Sequence, residues 1–269
     1  MSYYQADMNF KLGKFEEAIA LAKKQLPKSD RKEVSELNKV IGESYFNLKQ
    51  YENAVPYLKE YNGKGGKWSN TDYYYLGYAY YKGGDYANAI AQFNKIIGGT
   101  NSVAQNAYYH LAECYLKLDK KQEALNAFRN ASQMDYSAEI QKDAFLNYAR
   151  LSYEVGNAYE PVPQVIANYL KTYPNDEHQE EMQTLLVDSY ITSKNFAGAM
   201  KLLEENKNYA SKSVYQKVAY YRGIELFMEV DYNAASDNFA KSLSSAEDML
   251  FKARANYWKA EADYLSNRF

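Results

Sequence analysis

What most narrows the folds open to this chain is a recurrence with a period of about 35 residues. An aromatic residue followed three positions later by alanine appears as Phe15/Ala18, Tyr51/Ala54, Tyr86/Ala89, Phe196/Ala199 and Tyr232/Ala235, and Lys121/Ala124 keeps the alanine without the ring. Successive alanines from Ala18 to Ala124 lie 36, 35 and 35 residues apart, and Ala199 and Ala235 lie 36 apart. The 75 residues between Ala124 and Ala199 hold two slightly longer units, one of them divergent around Tyr159, Pro161 and Pro163. A period of this length predicts stacked supersecondary units, each buried only by its neighbours.

About ten residues before each pair lies a small residue with a ring after it. The ring follows three positions later in Gly42/Tyr45, Gly77/Tyr80, Ala112/Tyr115 and Val187/Tyr190, and four later in Ala6/Phe10, Ala149/Tyr153, Gly223/Phe227 and Ala260/Tyr264. Both spacings fall on one helix face, which predicts a close helix crossing at the small residue with the ring beside it. Between the two patterns lie turn segments such as Leu12-Gly13-Lys14, Gly83-Gly84-Asp85 and Val155-Gly156-Asn157. Glycine there supplies a left-handed helix end, and Asp85 and Asp231 suit the next N-cap. Apolar residues recur at three and four and seldom at two, so each unit reads as helix, turn, helix and the chain as all-α.

The stretch from Tyr73 to Phe93, with Leu76, Gly77, Tyr80, Gly84, Tyr86 and Ala89 in phase, resembles a tetratricopeptide repeat at nearly every signature position. The resemblance runs through residues 1–269 as a single array of about seven units plus the first helix of an eighth, with irregular junctions near 62–68 and 156–163. It implies a right-handed superhelical solenoid of antiparallel helix pairs. The unit-ending proline stands only at Pro174, a departure that resembles bacterial, cell-envelope members of the family. Residues 62–67 are expected to be flexible from their glycine content. No polar capping unit is visible at either end, which predicts a piece of a longer protein, able to self-associate through uncapped ends. Its expected compartment is the cytoplasm, or the bacterial periplasm if the parent is exported.

Composition removes much chemistry. With 2 His and 1 Cys, a four-ligand structural zinc site cannot be built, and neither a metal nor a cofactor is expected. The balance of 32 Lys+Arg against 34 Asp+Glu gives no field for nucleic acid, and the apolar runs are too short for a membrane span. Gly63 to Trp68 lacks the Ser/Thr and the preceding strand of a phosphate loop. Without a convergent acid, base and nucleophile, the chain is not expected to be an enzyme.

The resemblance implies a concave groove, lined by the first helices, that binds a peptide or protein segment. With the small residue counted as position eight of its unit, positions two, five, nine, twelve and thirteen face that groove. They make Tyr74, Tyr78, Tyr81 and Lys82 of the third unit and Tyr109, Glu113 and Lys117 of the fourth the candidates, with Tyr153, Tyr220 and Tyr257 in equivalent places. The 30 tyrosines offer area at little entropic cost and a hydroxyl for backbone groups, or they simply pad the helix packing. Alternative functions are carbohydrate or cell-wall binding on tyrosine platforms, and self-assembly. The co-chaperone clamp for a C-terminal carboxylate is absent, because Lys39 is followed by Glu43 and the fourth unit offers Asn106 and His110.

Overall fold

A computed structural model describes residues 2–96, 98–245 and 247–268. Among them the chain forms fifteen α-helices, one short 3-10 turn and no strand beyond an isolated bridge between Lys64 and Lys67. It divides into two compact units, Met1–Leu151 and Ser152–Phe269.

The first unit holds α1 (Ser2–Lys11), α2 (Phe15–Gln25), α3 (Arg31–Asn47), α4 (Tyr51–Glu60), α5 (Asn70–Lys82), α6 (Tyr86–Phe93), α7 (Ser102–Lys117), α8 (Lys121–Ser132) and most of α9 (Ala138–Val155). The second holds α10 (Val162–Thr172), α11 (Gln179–Thr192), α12 (Phe196–Glu205), α13 (Lys212–Met228), α14 (Tyr232–Ser244) and α15 (Met249–Leu265). Within the first unit each helix from α1 to α8 packs against the next in sequence, as does each from α10 to α15 within the second, and the first helices α1, α3, α5 and α7 also touch their neighbours in that series, so they share one face of the first unit.

The repeated residues explain the pairing. Phe15, Tyr51, Tyr86, Lys121, Phe196 and Tyr232 each open a helix, and the alanine three residues on is completely buried in all six. Glycine at position eight is demanded by what faces it. A Cβ on Gly77 would stand 2.8 Å from Cε1 of Phe93, and one on Gly223 would stand 2.6 Å from Cε1 of Phe239, rings that are themselves fully buried. The helices therefore cross with backbone against ring, and no larger residue fits without moving the core.

Position fifteen turns the chain. Gly13, Gly84 and Gly156 sit there with positive φ, as expected for a left-handed helix end, but so do Lys49, Asp119, Lys194, Val230 and Asn267. Five units hold a side chain in a conformation glycine adopts freely, and the β-branched Val230 at φ 67° is the most strained of them. The following helix is then capped by Asp85, Asn195 or Asp231, each accepting from a backbone N–H three residues on.

Two expectations need correcting. Residues 62–67 do not form a flexible linker: the Asn62 N–H donates to Ser35 Oγ at 2.9 Å, Trp68 Nε1 donates to the Tyr61 carbonyl at 2.7 Å, and the Trp68 ring lies against Tyr61 and Tyr73. The glycines serve a tight turn, which these anchors pin. The Ala260/Tyr264 pair of α15 is not buried at a helix crossing: both residues are exposed, Tyr264 at 66%. No following helix among the described residues covers that face, so α15 is held through Phe251, Ala255 and Ala262 on its other side.

Candidate functional site

The candidate site is a shelf of tyrosines on α5 and α7 of the first unit. Helix α5 is started by a capping box in which Ser69 and Asp72 satisfy each other's backbone N–H. Gly77 then sets the helix close onto Phe93, and Tyr74, which also meets the Phe93 ring, Tyr78 and Tyr81 form a row beside that contact. Helix α7 is started by Asn101, which accepts from the Ala104 N–H at 2.9 Å, and brings Tyr109, His110 and Glu113 beside that row.

The rings interlock. Tyr78 meets Tyr74 at 5.8 Å, Tyr81 at 5.8 Å, Tyr51 at 5.6 Å, Phe46 at 5.5 Å and His110 at 4.9 Å between centroids. His110 is the hub, also meeting Tyr81 at 5.3 Å and Tyr109 at 5.4 Å, with its Nδ1 2.7 Å from Glu113 Oε2. Tyr109 donates its hydroxyl proton to Asp143 Oδ2 at 2.5 Å and packs its ring on Phe128. The Lys82 ammonium lies 5.3 Å from the Tyr78 centroid and 5.3 Å from that of Tyr81, on their solvent side. Each ring thus has its position fixed by several others before any ligand arrives.

Burial pushes the phenol pKa of Tyr74, Tyr81 and Tyr109 well up, with Tyr78 adding to the effect at Tyr74, Glu113 at Tyr81 and Asp143 at Tyr109. These hydroxyls stay neutral; Tyr109 spends its one proton on Asp143 and Tyr81 is hydrogen-bonded to Glu113, so toward a ligand Tyr109 keeps only its acceptor lone pairs. Beneath them Cys114 is buried, and burial, with Glu113 adding, pushes its thiol up to about 12, which makes it a poor nucleophile.

Next to the shelf, a cleft of about 370 Å³ opens between α1, α3, the start of α5 and the pinned loop. On its floor the Lys39 ammonium lies 2.8 Å from Asp72 Oδ1, 3.6 Å from Glu43 Oε1 and 4.6 Å from the centre of the Tyr61 ring. Burial would raise the Asp72 pKa, but hydrogen bonds from Lys39 and Ser69 outweigh it and hold the carboxyl below its usual range. Burial raises Glu43 to about 7, with Lys39 opposing the shift and Asp72 adding to it.

Of the ten candidates, six gather on the shelf: Tyr74, Tyr78, Tyr81, Lys82, Tyr109 and Glu113. Lys117 is exposed at the end of α7. The other three belong to the second unit and form no cluster of this kind. Tyr153 borders a cleft of about 730 Å³ with Pro161, Pro163 and Thr192. Tyr257 is 59% exposed beside Trp258. Tyr220 is only 7% exposed, held between Phe239 and Phe251, so it is a core residue and not a groove residue.

Sequence reasoning missed position one. Buried Gln105 donates to the Met134 carbonyl at 2.7 Å and accepts from the Ser137 N–H at 2.7 Å, tying the end of α8 to the start of α9. Gln216 does the same in the second unit, donating to the Asp248 carbonyl at 3.0 Å and accepting from the Asp248 N–H at 2.8 Å. Ser35 holds Asn62 from the same position. A polar residue seven before the small one was the available signal. Among the described residues no helix is long and apolar enough to cross a membrane, and no group of three or more His, Cys, Asp or Glu is placed to hold a metal.

A family described as "Tetratricopeptide repeat" matches residues 40–61, and one described as "Anaphase-promoting complex, cyclosome, subunit 3" matches residues 64–131. No curated protein matches the chain. Among solved structures, the chain is similar to the C-terminal part of a TPR repeat-containing protein from Cytophaga hutchinsonii at 14% identity, over 94% of this chain and 98% of that one, with a TM-score of 0.51. All of this chain is similar to 42% of a chain in the structure of Naa15/Naa10 bound to HypK-THB, at 12% identity and a TM-score of 0.53. It is also similar to a tetratricopeptide repeat protein from Parabacteroides merdae at 17% identity, over 96% of this chain and 98% of that one, with a TM-score of 0.49.

Proposed function

Because the chain has the fold of tetratricopeptide-repeat arrays and resembles bacterial proteins of that kind, we propose that it is a non-catalytic scaffold whose α5–α7 face binds an extended segment of another protein. The interlocked tyrosine shelf carries this reading. Binding to preordered rings avoids most of the side-chain entropy that a surface of mobile residues would lose, about 0.5–1.5 kcal/mol for each side chain immobilised. The rings offer contact area, and the Tyr109 hydroxyl, its proton already given to Asp143, can accept from a backbone N–H of the segment. The shelf also lies on the face shared by α1, α3, α5 and α7, along which a segment can continue. The matched family description names a complex subunit, and the Naa15/Naa10 structure is itself an assembly, both in keeping with a binding role.

The carbohydrate alternative is disfavoured by the same packing. Sugars stack on flat, open ring faces, whereas the Tyr78 ring spends its faces and edges on Phe46, Tyr51, Tyr74, Tyr81 and His110. A random dodecapeptide library displayed on phage tests the reading. Peptides should be enriched by the native chain and bind the Tyr78→Ala/Tyr81→Ala variant at least about tenfold more weakly, a loss of about 1.4 kcal/mol. Should that variant lose helical circular dichroism, Tyr81→Phe with Lys82→Ala makes the same comparison with the packing kept. Failure to enrich any peptide, or undiminished binding by a folded variant, overturns it.

A further inference from the structure

The cleft beside the shelf bears on the chemistry of the bound segment. Resting on the reading above, we propose that the segment is basic and that one of its Lys or Arg side chains enters the cleft to lie against Tyr3, Asp7 and Glu36.

The chain shows repeatedly how its tyrosines seat a cation. Lys23 donates to the Tyr45 hydroxyl at 2.7 Å beside the Tyr57 ring, Lys82 lies over Tyr78 and Tyr81, and Lys95 over Tyr73 at 4.9 Å. The fullest example is Lys39 in the cleft itself, with the Tyr61 ring on one side and the carboxylates of Asp72 and Glu43 on the other. A cation so placed gains from the ring quadrupole and from the carboxylate charge together.

The adjoining wall has the same composition without the cation. Tyr3, Asp7 and Glu36 line the same cleft. Burial raises the Tyr3 phenol pKa, and the next two contributions come from Glu36 and Asp7, in keeping with both carboxylates lying near that ring. Glu36 makes no ion pair among the described residues, and Asp7 is paired only with Lys11, one turn along an exposed helix end. A segment carrying acidic residues would set like charges against this wall, and an uncharged one would leave both carboxylates unanswered. Lys64 and Lys67 also line the cleft, where they repel an incoming cation and weaken its binding. This makes a prediction of unusual sign: neutralising Lys64 strengthens binding.

The dodecapeptides enriched on the native chain are first read for charge, and one is then measured by fluorescence polarisation. We expect Lys and Arg to be enriched over the library and Asp and Glu depleted. Affinity should fall about tenfold as salt rises from about 50 to about 500 mM, because the seat is solvent-accessible and screened. It should fall about fivefold in Asp7→Asn/Glu36→Gln, and rise about twofold in Lys64→Gln. Both variants change surface residues, and circular dichroism reports whether they fold. Enriched peptides that are acidic or uncharged, or equal binding by the folded double variant, overturn the basic partner and leave the shelf reading standing. Absence of any enriched peptide overturns both.

Discussion

Tyr74 and Tyr220 hold the same place in their repeats, three residues before a glycine at a helix crossing, and each packs on the phenylalanine that faces that glycine. Tyr220 is nonetheless in the core, because α15 lays Phe251 edge-on against it at 5.2 Å. Tyr74 meets His110 of α7 instead, a polar ring that joins a row of phenols and does not seal them off. Repeat position decides which way a side chain points. Whether it reaches solvent is decided by a residue on the next first helix, some 30–36 positions on.

The largest expected effect tests what the two regions share. Gly77→Leu and Gly223→Leu should each cost about 3 kcal/mol or more, since Phe93 and Phe239 have nowhere to go. Hydrogen exchange should show protection lost around α5 and α6 in the first variant and around α13 and α14 in the second. Equal protection in either case would break the shared packing rule.

Somewhat smaller is the loss of the position-one ties. Gln105→Leu and Gln216→Leu each remove the partner of a part-buried carbonyl and a part-buried N–H, and the loss of two hydrogen bonds should cost about 2 kcal/mol in urea unfolding for both. A loss in one unit and none in the other would show that the two ties are not equivalent.

The third effect separates the regions. Glu43 stands at position nine of its repeat, where the second unit has Ile224 packed into its core cluster. The folded pKa of Glu43, about 7, lies above its ordinary value of 4.5. The folded state therefore holds the proton more tightly, and this contribution to stability is present in full below about pH 4.5 and is lost as pH rises through about 7. Glu43→Gln should flatten that part of the stability profile and stabilise the first unit at pH 8 by on the order of 1–2 kcal/mol. An unchanged profile between pH 5 and pH 8 would remove the buried carboxylate from the account.

The smallest effect compares two hydroxyls. Tyr109→Phe removes the bond to the Asp143 carboxylate and should cost about 1 kcal/mol, whereas Tyr220→Phe loses only a neutral contact with Trp258, keeps its ring contacts with Phe239 and Phe251, and should cost less. The reverse order in thermal melts would contradict the division of shelf from core.

The helix pairs were legible because one chemistry recurs at fixed spacing: an alanine that must be fully buried, and a small residue at the helix crossing, glycine where Leu58, Phe93 or Phe239 presses on it. Features in which different residue types perform the same task were not. Ser35 differs in side chain from Gln105 and Gln216, yet each ties its own unit to a later segment. Lys49, Asp119, Lys194 and Val230 take the left-handed turn where Gly13 and Gly84 made it obvious. The flexible reading of residues 62–67 failed because their glycines lie beside Trp68, whose indole closes the turn through Tyr61. Six candidates gather on the shelf because their helices are adjacent; Tyr220 does not join them because Phe251 covers it, a contact between distant residues that no local pattern encodes.

Photo-crosslinking with a display-selected dodecapeptide carrying a benzophenone tests the central claim most directly. The account predicts adducts on α5 and α7, at or beside Tyr78, Tyr81 and Tyr109, and their loss when unlabelled peptide competes. Competed adducts confined to α2, α4 and α6, or to residues 152–269, would contradict it.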